Sequence, residues 1–230
     1  FEDPDRNSLP WEDQWALKLH QRFKEMNWNT IRYCIGFPPE RWYDIADSLG
    51  FIIQDEFPVW TGTREYERLL GGVSSEHLSA EYEQWIRERW NHPCVTIWDA
   101  QNESVTPVIG EAIRKIRHID LSNRPWDNGW AAPVSMTDFI ESHPYLFSQF
   151  HRGAVPSDEG VLKDVLSEVL IPDNDPNERD PDSEGRRYNN PVIINEYGWI
   201  WLNRNGTPTT LKDKVYQVVF PEADTPEKRL

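Results

Sequence analysis

The sequence is poor in the residues that build disulfide scaffolds, membrane spans and nucleic-acid interfaces. Its 230 residues include two cysteines, which excludes a disulfide-rich scaffold. No run approaches the roughly 18 consecutive apolar residues that a membrane helix requires. Basic residues are scarce: 24 of them are outnumbered by 39 acidic residues, and the net charge of −15 argues against a nucleic-acid or anionic-membrane partner. These deficits favour a soluble protein that acts on a neutral or small ligand, although an acidic surface also serves solubility alone.

The two cysteines, Cys34 and Cys94, fall on predicted strands that lie one apart in a sheet. Such strands are separated by roughly 10 Å, which exceeds the Cα distance that a disulfide spans. We therefore expect two buried thiols, and the redox compartment stays open.

Tryptophan, in contrast, is abundant, with 12 residues. Its flat, rigid ring suits ligand stacking and core filling equally well. The candidates for facing a ligand are Trp98, Trp130, Trp199 and Trp201. For Trp98, which lies within a predicted strand, packing is the first expectation.

Helix-like and strand-like segments alternate along the chain, which is typical of βα units. Apolar residues at helical spacing predict four helices, whose inward faces include Trp15, Ile45, Tyr82 and Ile113. Gly50 is placed to end the second helix and Ser74 to cap the third. Strands are predicted at 30–36, 51–57, 94–103, 124–130, 139–145 and 191–196. After Leu202 the pattern fades into a polar tail.

Two glutamates, Glu103 and Glu196, each follow a short apolar run that is predicted to be a strand. A carboxylate at the end of a buried parallel strand lies at the mouth of an α/β barrel, where the active sites of such barrels are found. Two carboxylates on different strands of one barrel supply what glycoside hydrolysis needs, a proton donor and a nucleophile or base. The alternative is that both are surface residues at strand ends.

Six predicted strands are too few to close a barrel of this kind, which takes eight. A helix comes first, and the sequence begins at Phe1 rather than at a methionine. We therefore expect one domain over residues 1–230 that lacks its first and last strands, with residues 203–230 leading towards the last barrel unit. An open six-stranded sheet is the alternative.

Three stretches resemble glycoside hydrolase family 2, whose members include β-galactosidases, β-glucuronidases and β-mannosidases. They are Asn29-Thr-Ile-Arg32 with the run from Pro39 to Pro58, Asn91-His-Pro-Cys-Val-Thr-Ile-Trp98 with Asn102-Glu103, and Pro191-Val-Ile-Ile-Asn-Glu-Tyr-Gly198. The resemblance implies a (β/α)8 TIM barrel, of which this chain carries the second to the seventh strands. It also implies β-sandwich domains before the barrel, which we expect in the full-length protein.

The resemblance assigns roles to the two glutamates and to several neighbours. Glu103 is the acid/base on the fourth strand and Glu196 the nucleophile on the seventh. The charge of Glu196 is expected to raise the pKa of Glu103 and keep it protonated. Asn102 would bind the sugar 2-hydroxyl, and Arg32 would hold Glu196 by bidentate pairing. The remaining substrate-binding candidates are His143, Tyr145 and Trp199.

Some of these positions have a structural interpretation as well. Arg32 is also explained by an ion pair elsewhere in the fold, and a lone histidine such as His143 is more often structural. Asp55 and Glu56 end the next predicted strand after Arg32. They either bind ligand hydroxyls or support the loop behind the strand.

The chain departs from the family pattern in two places. Galactosidases and glucuronidases usually carry a Ser-His-Tyr run after the second-strand arginine, whereas this chain has Tyr33-Cys-Ile-Gly-Phe37. Asp99-Ala-Gln101 precedes Asn102 where small residues and glycine are commoner, and Gln101 adds bulk and an amide near the site. Both changes bear on specificity rather than on the two glutamates.

The polar stretch at 172–190 permits one cofactor alternative. Asp173, Asp175, Asn177 and Glu184 occupy the positions 1, 3, 5 and 12 of an EF-hand-like loop. Position 6, however, is Glu178 instead of glycine, prolines intrude, and no helix pair flanks the loop. We expect an acidic, mobile surface loop, no metal and no cofactor.

The sequence thus predicts a retaining exo-β-glycosidase that releases a terminal sugar from a carbohydrate substrate by double displacement. An endo-acting glycanase of the same clan and a non-catalytic carbohydrate-binding barrel are the alternatives. The presence of both Glu103 and Glu196 speaks against a loss of catalysis. The resemblance slightly favours a secreted or periplasmic location, which the sequence itself does not decide.

Overall fold

A computed structural model describes residues 8–61, 71–143, 190–196, 201–209, 213–218 and 220–229. The chain forms two compact units, Phe1–Glu141 with Arg179–Pro191, and Ser142–Glu178 with Val192–Leu230. The single domain over residues 1–230 stays a prediction.

The first unit is built around a parallel sheet whose strands follow one another in chain order. They are β1 (Thr30–Tyr33), β2 (Ile52–Glu56), β3 (Val95–Asp99) and β4 (Trp126–Asp127). A further strand, β5 (Ile140–Ser142), begins beside β4, where Phe139 donates its amide to the Trp126 carbonyl at 2.8 Å. Because all pairs are parallel, the carboxyl ends of successive strands meet at one edge of the sheet. This edge carries the polar residues described below.

The described residues of this unit contain four α-helices, of which the first precedes β1 and each of the others connects two successive strands. They are α1 (Asp13–Glu25), α2 (Arg41–Leu49), α3 (Ser75–Arg89) and α4 (Pro107–Ile116). Gly50 ends α2 with a left-handed φ of 67°. The Ser74 hydroxyl accepts the His77 amide at the start of α3. Both sequence predictions for the helix ends are confirmed.

The core of the first unit lies where these helices pack on the sheet. Strand residues such as Ile53 and Trp98 are fully buried, as are Tyr43 of α2 and Tyr82 of α3. Trp98 also donates its indole N–H to Asp120 Oδ2 at 3.0 Å. The abundant aromatic residues of this unit therefore serve packing to a large extent.

The second unit contains β6 (Val192–Ile194), α5 (Asp213–Val218) and α6 (Pro226–Arg229) among its described residues. The polar tail predicted after Leu202 therefore contains two short helices among its described residues. Val215 and Tyr216 of α5 are buried, and Arg229 donates to the carbonyls of Ala223 and Asp224 at 2.7 and 2.9 Å. Helices this short bring too few apolar residues into register for a helical period to be recognised.

The described residues contain the six strands that the sequence predicts, although each is shorter than expected. Both cysteines are free thiols, and Cys94 is buried as predicted. The prediction was wrong for Cys34, which is exposed, because β1 ends one residue earlier and the chain turns away at Ile35 with φ 52°. No helix within the described ranges has both the length and the hydropathy to cross a membrane.

Candidate active site

A buried cluster of charges surrounds Arg32 at the carboxyl edge of the sheet. The Arg32 side chain, which is 10% exposed, donates from Nε to Asp99 Oδ2 at 2.9 Å. Its Nη2 lies 2.8 Å from Glu56 Oε2 and 3.2 Å from Glu141 Oε1. These residues come from β1, β2, β3 and β5, so the cluster joins four strands. Arg32 thus forms the structural ion pairs that the sequence allowed, within this unit.

The cluster holds more negative than positive charge. Burial raises the pKa of Glu56 above its ordinary value, and the neighbouring charge of Asp99 adds to this effect against the pull of Arg32. The pKa of Asp99 is raised too, chiefly by burial and further by Glu141, while Arg32 opposes the rise. Near neutral pH the cluster therefore retains protons that exposed carboxyl groups would have lost.

Gln54 connects this cluster to β4. Its Nε2 donates to Asp99 Oδ2 at 2.8 Å and to Asp127 Oδ2 at 3.0 Å. Asp99, Asp127 and Glu141 offer oxygens within 4.8 Å of one another, the type of grouping that can hold a cation. Because the Arg32 guanidinium already occupies the cluster and pairs with Asp99 and Glu141, we assign no metal to it.

Asn102 is held in one orientation by this cluster. Its side-chain oxygen accepts from Arg32 Nη2 at 2.9 Å. Its backbone N–H donates to the Val59 carbonyl at 2.8 Å. A guanidinium has donors only, so the oxygen of Asn102 must face Arg32. The Nδ2 group is thereby turned away from the guanidinium.

Glu103 lies on a tight turn four residues beyond the end of β3. Its φ of 42° is in the left-handed region, which is uncommon for a residue other than glycine. The Ser104 hydroxyl fixes the turn, since it donates to the Asn102 carbonyl at 2.6 Å and accepts the Thr61 amide at 2.7 Å. Asn102 and Ser104 are buried, whereas Glu103 is partly exposed. The turn therefore presents Glu103 between two anchored neighbours.

Gly129 supports this turn from the adjacent strand end, and sequence reasoning missed it. Its φ is 57°, and a Cβ atom there would lie 2.9 Å from the Gln101 carbonyl oxygen and 3.3 Å from that of Ser104. The dipeptide Asn128-Gly129, a turn signal, was available as a clue. Gln101 is fully buried and donates to the Asn128 carbonyl at 2.8 Å. Its amide therefore supports the neighbouring loop beside the Glu103 turn.

The sequence allowed Asp55 either to bind a ligand or to support the structure, and its contacts are structural. It is fully buried, and it accepts from the Tyr43 hydroxyl at 2.6 Å and from the Trp85 indole at 2.7 Å. Burial raises the pKa of Asp55 to about 6, although these two donors pull it down. Its neighbour Glu56 belongs to the Arg32 cluster, because successive strand residues point to opposite faces.

Glu196 and His143 lie together in the second unit. His143 Nδ1 is 3.8 Å from Glu196 Oε1, the His143 side chain is 2% exposed, and that of Glu196 is 32% exposed. Glu196 follows β6 by two residues, as predicted for a carboxylate at a strand end. Because Glu103 belongs to the other unit, the distance between the two carboxyl groups stays a prediction, and so does the pairing of Arg32 with Glu196.

The other candidates divide between described and undescribed residues. Tyr145 and Trp199 lie outside the described residues, as does the 173–184 stretch of the calcium alternative. Among the tryptophans, Trp98 is in the core, Trp130 is 8% exposed and Trp201 is 55% exposed. Trp60, which was not among the candidates, is 49% exposed and forms a parallel bridge with Asn102. Its position just beyond Asp55-Glu56, at the end of β2, was the signal that could have found it.

The chain is similar to known glycosidases in sequence and fold. A putative β-glucuronidase of Formosa agariphila is 29% identical over 126 residues, which are 54% of this chain and 12% of that protein. A β-galactosidase of Klebsiella pneumoniae is 30% identical over 121 residues, 51% of this chain and 12% of its own length. The chain thus spans about an eighth of the length of these curated relatives.

Solved structures show the same fold. The β-glucuronidase of Bifidobacterium dentium complexed with coumarin-3-O-glucuronide superposes with a TM-score of 0.58 at 18% identity, over 93% of this chain and 35% of that one. A Ruminococcus gnavus β-glucuronidase in complex with D-glucaro 1,5-lactone superposes with a TM-score of 0.58 at 18% identity, over 92% of this chain and 37% of that one. The predicted partial TIM barrel is thereby confirmed. Residues 10–222 match the family described as glycosyl hydrolases family 2, TIM barrel domain, and the chain belongs to that family.

Proposed function

We propose that the protein is a retaining exo-β-glycosidase in which Glu103 is the acid/base and Glu196 the nucleophile. The observation that carries the proposal is the left-handed turn at Asn102-Glu103-Ser104, held at the carboxyl edge of the sheet in a family 2 barrel domain. Backbone strain of this kind persists where the surroundings enforce it, and it concentrates at functional sites. Active sites of such barrels lie at this edge.

The two carboxyl groups act in turn. Glu196 attacks the anomeric carbon while Glu103 gives its proton to the glycosidic oxygen, and the leaving group departs. Glu103, now a carboxylate, then removes a proton from water, which attacks the glycosyl-enzyme and releases the sugar with retained configuration. This mechanism needs the carboxyl groups about 5–5.5 Å apart.

Asn102 and His143 assist the two glutamates. With its oxygen held by Arg32, Asn102 turns its Nδ2 group to the sugar 2-hydroxyl, and such bonds strengthen in the transition state. His143, 3.8 Å from Glu196, keeps that carboxylate in place from the buried side. Tyr145 and Trp199 remain proposed sugar contacts, and Arg32 remains proposed as a second support for Glu196.

The identity of the released sugar is proposed from the relatives. Those matched are named β-glucuronidase and β-galactosidase, so a terminal β-glucuronoside or β-galactoside is the first choice of substrate. The turn after β1, with exposed Cys34, replaces the Ser-His-Tyr run usual in those enzymes. We therefore expect sugar contacts on this side to differ from theirs.

The test uses the full-length protein and a panel of aryl β-glycosides. Glu196→Ala and Glu103→Ala should each abolish turnover, whereas Glu83→Ala, an exposed residue paired with Arg87 on α3, should leave it unchanged. Azide should rescue Glu196→Ala and yield a glycosyl azide of inverted configuration. Turnover that survives Glu196→Ala would refute the mechanism. Retained sugar binding without turnover by the wild type would favour a carbohydrate-binding barrel, and cleavage within long glycans only would favour endo action.

A further inference from the structure

Trp60 stands out because it is a large aromatic residue that is half exposed directly beside the Glu103 turn. It follows β2 at the carboxyl edge of the sheet and is 49% exposed, whereas Trp98 on β3 and Trp126 on β4 are fully buried. At this exposure, part of the Trp60 surface is accessible to a ligand at the carboxyl edge of the sheet.

The backbone fixes Trp60 relative to Glu103. Trp60 forms a parallel bridge with Asn102, and the residues on either side of it are anchored to the same turn. The Val59 carbonyl accepts the Asn102 amide at 2.8 Å, and the Thr61 amide donates to the Ser104 hydroxyl at 2.7 Å. Paired strands lie about 4.8 Å apart. The backbone of Trp60 therefore lies one strand spacing from Asn102, the residue that precedes the proposed proton donor.

The chemistry of the reaction decides which part of a substrate meets this ring. A proton donor stands next to the glycosidic oxygen, and the group attached to that oxygen departs on the donor's side. The sugar that forms the covalent intermediate lies instead on the side of the nucleophile. An aromatic platform on the donor's side of the substrate meets this leaving group. Flat aromatic faces bind the C–H faces of pyranose rings and the faces of aryl groups.

We propose that Trp60 is the platform that binds the leaving group of the substrate, a pyranose or aryl ring stacked on its indole. The assignment rests on the proposed role of Glu103 as the proton donor. It makes Trp60 a determinant of which aglycones are cleaved well, separate from the residues that select the sugar transferred to the enzyme.

The experiment compares three substrates that share one sugar and differ in the leaving group. They are the 4-nitrophenyl β-glycoside, the β-linked disaccharide and the β-glycosyl fluoride, whose leaving group is a single atom. Trp60→Ala in the full-length protein should lower kcat/KM about tenfold for the first two substrates and less than about twofold for the fluoride. Trp60→Phe, which keeps an aromatic face, should retain most of the activity. Loss on only one of the two large substrates would identify the leaving group that the platform accepts.

The control is Trp11→Ala, which removes another exposed tryptophan, 73% exposed, ahead of α1. Trp11→Ala should leave kcat/KM unchanged for all three substrates, and melting temperatures should show that each variant is folded. An equal loss on all three substrates, or no loss on any, would overturn the platform while leaving the proposed glycosidase intact. A wild-type protein that cleaves none of the three would overturn the proposed function and the platform with it.

Discussion

Arg32 donates to the side-chain oxygen of Asn102 at 2.9 Å across 70 residues of sequence. The same guanidinium donates to Asp99 from Nε, so one side chain connects the buried acidic cluster to the residue that precedes Glu103. The cluster therefore has a consequence at the surface of the site. It sets which way the amide of Asn102 turns.

Arg32→Lys should disrupt this connection without removing the charge. A lysine is a single point donor and cannot reach Asp99 and Asn102 together with the geometry of a guanidinium. We expect kcat/KM on an aryl β-glycoside to fall about 10²-fold, similar to the loss of one transition-state hydrogen bond. Arg117→Lys, in a bidentate pair with Asp138, is the matched control and should change activity little.

A double-mutant cycle separates this effect from general damage. If Arg32 acts through Asn102, Arg32→Lys should cost much less activity in an Asn102→Ala background than in the wild type. Additive losses would show that the two residues act independently.

Gly129→Ala should destabilise the protein and impair the Glu103 turn. The new Cβ would lie 2.9 Å from the backbone oxygen of Gln101, and φ of 57° disfavours alanine. We expect a loss of about 1–3 kcal/mol in the free energy of unfolding, measured by urea denaturation. Gly72→Ala meets no atom within 4 Å and serves as the control with little change. Equal stabilities of the two variants would contradict the close packing of Gly129 on the turn.

Glu56→Gln should make stability less sensitive to a rise in pH. Since the pKa of Glu56 is raised in the folded state, its contribution to stability is complete below its unfolded pKa and is lost as pH rises through the higher folded value. The free energy of unfolding of the wild type should therefore fall as pH rises from mildly acidic values, just above the ordinary glutamate pKa, to about 9. The free energy of unfolding of the variant should fall less steeply with pH. The difference in slope is up to about 1.4 kcal/mol per pH unit, which corresponds to one proton. Urea titrations at several pH values, with Glu83→Gln as the control, test this slope.

His92 should stabilise the first unit more in acid than in base. Burial of its ring disfavours protonation, but hydrogen bonds with Asp47 at 2.7 Å and Glu40 at 2.8 Å outweigh burial and raise the pKa of His92. The stabilisation is then complete below the ordinary histidine pKa and lost as pH rises through the raised value. His92→Gln should thus lower the melting temperature more at pH 5.5 than at pH 9. A loss that is the same at both pH values would point to packing alone.

Local patterns predicted the local structure well. Gly50 and Ser74 end and begin helices as their residue types require, and the short apolar runs become parallel strands in chain order. The Arg32 cluster escaped prediction in detail because its contacts join residues 67 and 109 positions apart, and no short motif encodes them. Trp60 and Gly129 escaped for a related reason. Their importance comes from what the Glu103 turn places next to them.

The left-handed backbone at Glu103 sets stability and activity against each other at one position. Glycine adopts this conformation without strain, so replacing Glu103 by glycine would relax the turn while removing the proposed proton donor. Selection for heat resistance alone would drive this position towards an inert protein. Stabilising substitutions meant to raise the melting temperature should therefore leave this turn unchanged and be placed elsewhere in the barrel.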